Sequence, residues 1–345
     1  MRLLRGVGIG DTRRRVQPGD FIANRFEVEH LAGAGGMGTV YRARDRCLSV
    51  PVALKVLHTR GAVEIERFTR EAEVLAELSH PAIVRFVDHG VTREGEPYLA
   101  TEWLEGESLA ERLRRVGLTI DETLVLGARV AEGLGAAHRL GVVHRDIKPS
   151  NLLLVGGLAT EVKILDFGIA RRGDGDRTLT QTGAMVGTPG YMAPEQARGE
   201  KQLSPRADVF SLGCVLFRCL TGRRPFEADD LMAILLKLVL EDAPRLRSLR
   251  EEAPAALDDL LARMLAKAPA DRPADGSAVA AAIATIERRE GGSAVTASTA
   301  PLALTTSERP MICVVIARLS PQAEHVVEST VAMPDVRRRR LGEAL

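Results

Sequence analysis

Two periodicities divide the chain. From Arg25 to Leu57 apolar and polar residues alternate. Phe26 and Val28 interleave with Glu27 and Glu29, a glycine cluster intervenes, and Thr39-Val40-Tyr41-Arg42-Ala43 and Val52-Ala53-Leu54-Lys55-Val56 follow. A period of two, interrupted by turn residues, predicts strands of an antiparallel sheet. Between Glu64 and Leu78 the spacing changes, and Ile65, Phe68, Ala72, Leu75 and Ala76 fall on one face of a helix. Val84 to Val87 and Tyr98 to Trp103 resume the strand pattern, so a small sheet-plus-helix lobe should end near Glu105-Gly106.

Beyond that point helical spacing dominates. Thr119 followed by Glu122 is a capping-box signature, predicting a helix through Leu124, Ala128, Ala131 and Leu134 to about Leu140, where Gly141 stops it. Further helices are predicted at Asp208 to Leu220, Asp229 to Leu240, Leu257 to Ala266 and Ser277 to Arg289. The most apolar run, Leu231 to Leu240, contains Lys237 and is about half as long as a membrane crossing requires, so it reads as a buried helix. From Glu290 to Ser307 the composition turns to Gly, Ser, Thr and Ala, as in a flexible linker. Met311 to Leu319 is a short strand candidate, followed by polar residues and the basic run Arg337 to Arg340.

Composition narrows the function. The 345 residues are 45% hydrophobic, enough for a buried core, and 47 basic residues against 46 acidic give a net charge of +1. Bulk attraction to nucleic acid or an anionic membrane is therefore not expected. Met1 to Arg15 carries five arginines but no apolar stretch of signal-peptide length, and no membrane span is expected. Cys47, Cys214, Cys219 and Cys313 form no metal-type pair, which fits a reducing cytoplasm. His58, His80, His89, His138 and His325 show no metal-ligand spacing.

The chemistry sits in His144-Arg145-Asp146-Ile147-Lys148-Pro149-Ser150-Asn151 and in Asp166-Phe167-Gly168. A carboxylate base, a cation and two hard oxygen ligands stand there in the order that hydroxyl-to-phosphate transfer requires. With Gly33-Ala34-Gly35-Gly36-Met37-Gly38-Thr39-Val40, Val52-Ala53-Leu54-Lys55, Ala193-Pro194-Glu195 and Asp271-Arg272-Pro273, these segments resemble the eukaryotic-like, or Hanks-type, serine/threonine protein kinases of bacteria over residues 20 to 289. A strand after the glycines argues against a dinucleotide site, where a helix would follow.

The resemblance implies an α+β, bilobal protein kinase fold: a basic extension at 1–19, a sheet lobe at 20–104, a helical lobe at 105–289 and a linker at 290–310. Residues 311–345 would be a tail or the opening of a further domain. It implies ATP with Mg2+, or Mn2+ in its place. Leu31, Ala32, Gly33, Gly35, Gly36, Gly38 and Val40 would cover the nucleotide, with Ala53 above the adenine, Leu153 below it, and Thr101, Glu102 and Leu104 at the hinge. Thr101 would guard the rear pocket and, being small, admit bulky inhibitors. Lys55 would neutralise phosphates and pair with Glu71, with Glu73 and Glu77 as rivals for that role. Asp146 would take the proton of the substrate hydroxyl, Lys148 would stabilise the transferring phosphoryl group, and Asn151 and Asp166 would hold metal.

His144 and Phe167 would stack with Leu75 and Phe86 into an apolar spine anchored by Asp208, and Glu195 would pair with Arg272. Arg145 would bind phosphate on an activation segment containing Thr178, Thr180 and Thr182. Thr188 would touch the catalytic Asp and Lys and favour Ser/Thr substrates. Implied partners are proteins with Ser or Thr hydroxyls, and a second copy for autophosphorylation in trans. The other readings are a kinase module of a longer signalling protein, a pseudokinase, which would need a damaged site, and a small-molecule phosphotransferase, which usually lacks the Arg145 and Ala193-Pro194-Glu195 features.

Overall fold

The computed structural model describes residues 16–35, 38–58, 61–167 and 189–293. Met1–Ala297 cluster as one compact unit, and Ser298–Leu345 separate as another that lies outside the described residues, with the Met311 to Leu319 strand candidate. Gly36, Gly168, Thr178, Thr180, Thr182 and Thr188 also lie outside them.

The first lobe is a six-stranded antiparallel sheet. Its strands are β1 (Phe21–Ile22), β2 (Phe26–Gly35), β3 (Gly38–Asp45), β4 (Val50–Leu57), β5 (Phe86–Val91) and β6 (Pro97–Glu102), in the order β1-β2-β3-β4-β6-β5. The alternation read from sequence becomes two faces. Phe26, Val28, Tyr41, Ala43, Val52, Leu54, Tyr98 and Ala100 pack into one core. Val40 pairs with Lys55, Arg42 with Ala53, and Ala53 with Thr101, so these five residues share the opposite face. Helix α1 (Ala62–Ala76) buries Phe68 and Ala72 beside Leu57. A brace unforeseen from sequence closes the far end: the Arg25 fork donates to Asp45 at 3.0 and 2.7 Å and to Asp88 at 2.8 Å. Asp45 is fully buried, and the guanidinium bonds hold its carboxyl below the usual carboxylate range.

The second lobe contains α2 (Leu109–Arg115), α3 (Ile120–Arg139), α4 (Pro194–Ala197), α5 (Arg206–Thr221), α6 (Leu231–Leu240), α7 (Ala255–Met264) and α8 (Gly276–Ser293). Capping boxes start the first two. Thr119 Oγ1 accepts from the Glu122 amide at 3.1 Å while the Glu122 carboxylate accepts from the Thr119 amide at 2.8 Å, and Ser108 and Glu111 repeat the exchange. Gly141, at φ +74°, follows the α3 terminus as expected. Helices α3 and α8 cross so closely that a Cβ on Gly276 would stand 2.4 Å from the Ala131 carbonyl oxygen. The expectation that Leu231 to Leu240 is wholly buried is corrected: Ile234 and Leu238 are covered, but Met232, Leu236 and Leu240 are 55%, 54% and 73% exposed. Only one side of this helix meets the lobe, so its high apolar content does not measure its burial.

A three-stranded sheet, β7 (Gly106–Ser108), β8 (Leu152–Val155) and β9 (Val162–Ile164), lies at the junction of the lobes. Polar exceptions to the core hold the loop before β8. Asp208 of α5 is fully buried; its carboxylate accepts from the amides of His144 and Arg145, each at 2.7 Å, and from His138 Nε2 at 2.9 Å. His138 Nδ1 in turn accepts from the Gly276 amide at 3.1 Å, tying in α8. His144 Nε2 donates to the Leu165 carbonyl at 2.9 Å and Nδ1 accepts from the Asp146 amide at 3.2 Å. Burial lowers the pKa of this ring. The expected Glu195–Arg272 pair is present and bidentate at 2.7 and 2.9 Å, and Arg272 also donates to the carbonyls of Ala266, Lys267 and Arg206. Cys214 and Cys219 are core residues whose thiol pKa values burial pushes up, away from thiolate chemistry.

Arg272→Met should destabilise the protein by about 3–5 kcal/mol, because it strands a buried carboxylate, and urea unfolding measures this. His144 is kept neutral when folded and takes a proton when unfolded, so its contribution is present above the ordinary value of 6.5 and lost as pH falls through it. The fall in urea midpoint between about pH 7.5 and about pH 5.5 should therefore be shallower in His144→Phe than in wild type.

Candidate active site

The loop from His144 to Asn151 is held open by its own backbone. Arg145 sits at φ +66°, a left-handed conformation costing about 1–2 kcal/mol outside glycine, and the bond from its amide to Asp208 fixes it there. Gln196 Nε2 donates to the Arg145 carbonyl at 3.0 Å from the other side. The next residue, Asp146, is then presented to a small polar cluster. Lys148 Nζ donates to Asp146 Oδ2 at 2.9 Å, and Asn151 Nδ2 donates to the Asp146 carbonyl at 2.9 Å and to Oδ2 at 3.2 Å. Asn151 is buried, in the single turn Pro149–Asn151 that Pro149 begins. With its amide nitrogen directed at Asp146, its oxygen remains a hard donor suited to a divalent cation.

Strand pairing carries the second half of the site alongside. Leu152 pairs with Ile164, and the Leu165 amide donates to the Asn151 carbonyl at 2.8 Å, so Asn151 and Asp166 lie at the same end of the β8–β9 ladder. Strand β9 is also stitched to the sheet lobe: the Ile164 amide donates to Ala82 at 2.8 Å and the Val84 amide to Ile164 at 3.1 Å. Asp166 is at φ +51°, and its Oδ1 accepts from Lys55 Nζ at 2.7 Å. Phe167 leans on His144 with ring centroids 4.7 Å apart. The expected spine is thus assembled in part, with Leu75, Phe86 and Phe167 all on one cavity wall.

The partner of Lys55 differs from the expected one. Its ammonium, on the inner face of β4, meets Asp166, whereas Glu71 of α1 lines a separate cavity with Arg67, Arg70 and Arg145. A lysine 23% exposed needs a nearby anion, and Asp166 reaches it because the left-handed turn directs that carboxylate toward the sheet lobe. Glu71 is on the face of α1 that looks behind the site.

A cavity of about 360 Å3 lies between the lobes. Val40 and Ala53 stand on its sheet side, Leu153 on its helical side, and Thr101, Glu102 and Leu104 along the connecting segment, as expected from sequence. Ala32, Lys55 and Asp166 also line it. Leu31, Gly33, Gly35 and Gly38 do not. A Cβ on Gly33 or Gly35 would meet nothing within 4 Å, so packing does not require glycine there, and room is left for a ligand against the backbone. Gly38 is different: a Cβ would lie 2.4 Å from the Val56 carbonyl oxygen, so strand approach explains it. The apolar slot suits a flat base, and one ammonium beside a carboxylate suits a phosphate chain with its cation. Among the described residues no three His, Cys, Asp or Glu cluster as a self-sufficient metal site.

One functional contact was missed from sequence. Glu102 accepts at Oε1 from Lys163 Nζ at 3.1 Å and from the Arg85 amide at 2.9 Å, joining the connecting segment to β9. Its spacing of 61 residues leaves no local signature.

Residues 26–283 match the sequence profile of the protein kinase domain. The chain is 38% identical to the serine/threonine-protein kinase pkn3 of Myxococcus xanthus over 281 residues, covering 78% of this chain and 51% of that protein. It is 36% identical to PknB of Mycobacterium tuberculosis over 296 residues, covering 84% of this chain and 46% of PknB. The chain spans about half the length of these curated relatives. The crystal structure of the Mycobacterium tuberculosis PknI kinase domain superposes with a TM-score of 0.62 at 28% identity, covering 78% of this chain and 98% of that one. Profile, relatives and fold agree with the paired Asp146 and Asp166 segments, and the chain belongs to the protein kinase family.

Proposed function

We propose that the chain is an ATP-dependent protein serine/threonine kinase that acts in bacterial signalling. The observation carrying this reading is the convergence on β8 and β9 of two polar groups, Lys55 with Asp166 and Asp146 with Lys148 and Asn151, beside an apolar slot. The family supports ATP and a divalent cation, and the named relatives support Ser and Thr hydroxyls as acceptors.

Each side chain then has one task. Asp146, steadied by Asn151 and Lys148, orients the acceptor hydroxyl and takes its proton as the new bond to the γ-phosphorus forms and the bond to the bridging oxygen breaks, with ADP leaving. Lys148 places a positive charge next to that base, where negative charge builds on the transferred group. Lys55 compensates phosphate charge from the sheet side, and Asp166 and the Asn151 oxygen would hold the cation. When bound, that cation, Mg2+ or Mn2+, neutralises phosphate oxygens. Glu71 replaces Asp166 as the partner of Lys55 when α1 turns inward. Arg145, with Arg67 and Arg70 on the same cavity wall, supports the reading that it receives phosphate on the segment containing Thr178, Thr180 and Thr182. Thr188 contributes to the choice of Ser and Thr. Among the described residues no helix is long and apolar enough to cross a membrane. The three described cysteines are free, as a reducing cytoplasm would leave them. The half-length match to the relatives favours a second reading beside the first, a catalytic module of a longer signalling protein.

Incubated with Mg2+ and ATP, the protein should label itself on Thr180 or Thr182. Asp166→Asn and Lys55→Met should each reduce labelling roughly 100-fold or more, the scale of removing a key electrostatic group. Mass spectrometry that finds no phosphothreonine in wild type would refute self-activation.

A further inference from the structure

The segment joining the lobes carries the only tryptophan of the chain, Trp103, one residue beyond β6. Its position lines the nucleotide-sized cavity, but its indole is engaged by the roof. The Arg42 guanidinium of β3 lies 5.3 Å from the indole centroid, and the His30 ring of β2 stands edge-on at 6.3 Å and 79°. Arg42 and His30 are register partners, so one ring meets both strands at the same rung.

That rung is where the roof most needs a restraint. The β2–β3 ladder shifts register between Val28 and His30 and again between Leu31 and Gly33. Two irregularities so close together leave the approach to the glycine turn weakly specified by backbone bonds alone. On this same face of the sheet, Arg42 stands with Val40 and Ala53, which cover the cavity. The Arg42 charge is itself incompletely met. Nε lies 3.2 Å from Glu29 Oε2, but it is buried without an aligned hydrogen bond, and Glu29 is shared with Arg44 at 3.4 Å. The face of an indole is a fitting second partner for such a cation.

We propose that Trp103 is a positioning residue for the nucleotide: through Arg42 and His30 it pins β2 and β3 to the segment between the lobes, setting the height of the glycine-bearing roof over ATP. The inference rests on the reading of this cavity as the ATP site. It assigns to the aromatic side chain a task separate from the backbone contacts expected of Glu102 and Leu104. Because the indole grips the roof and leaves the reacting groups untouched, its loss weakens ATP affinity more than turnover.

The test uses the full chain and ATP with Mg2+, with affinity from calorimetry and rate from self-labelling at increasing ATP. Trp103→Leu and Arg42→Met should each weaken ATP binding about fivefold, the factor a single half-buried cation–π contact supports. The double variant should be no weaker than about either single, since both remove one contact. Trp103→Phe, which keeps an aromatic face, should recover most of the loss. Wild-type indole fluorescence should change on ATP addition, with this one tryptophan as reporter. Unchanged ATP affinity in both single variants, or losses that multiply in the double, would overturn the proposal; if Trp103→Leu misfolds by circular dichroism, Arg42→Met and Trp103→Phe decide it. Wild type that binds ATP without labelling itself would remove self-activation alone, and wild type that binds no ATP would remove the site reading and this inference together.

Discussion

A single carboxylate with no solvent exposure, Asp208, fixes the geometry on which the active site depends. It accepts two consecutive amides of the catalytic loop and one imidazole of α3. Hydrogen bonds to a charged group contribute about 1.5–3 kcal/mol each, against about 1–2 kcal/mol for the left-handed turn at Arg145, so the carboxylate wins and the loop stays bent. From there order is relayed by neighbours. His144 grips Leu165, Leu165 bonds back to Asn151, and Asp166 follows immediately in the chain. Groups far apart in sequence are registered by a short series of bonds rooted in the helical core.

Much of this was legible in the chain. The period-two run from Phe26 to Val56 and the Thr119–Glu122 box each state local physics: α3 and β4 follow with boundaries displaced by a residue or two, whereas β2 runs on through the glycines to Gly35 and β5 reaches Val91. The motif residues announced Asp146, Lys148, Asn151 and Asp166 through their order. What could not be read has a common cause: it depends on pairing across the fold. Strands β7 to β9 span three or four residues each, too short to display alternation. The Arg25–Asp45 brace and the Lys163–Glu102 bridge join residues 20 and 61 positions apart. Exposure of Met232, Leu236 and Leu240 shows the converse, where composition suggested interior and packing left a surface.

The pairing of Lys55 with Asp166 belongs to the same class. Sequence marks Lys55 as a cation needing an anion and offers several carboxylates, but which one it meets depends on the rotation of α1 and the sign of one backbone angle. Here the left-handed turn at Asp166 directs its carboxylate to the lysine, while α1 directs Glu71 into a neighbouring compartment beside Arg67 and Arg145. The identity of the ion pair therefore reports the attitude of α1.

Leu75 and Phe167 belong to the walls of both compartments, of about 360 and 370 Å3. They act as a shared septum. Moving these two side chains enlarges one chamber at the expense of its neighbour, so guests large enough to push on them from opposite sides would antagonise each other unless α1 itself shifts outward. Crosstalk between front and rear chambers thus requires no long relay, because one leucine and one phenylalanine stand between them.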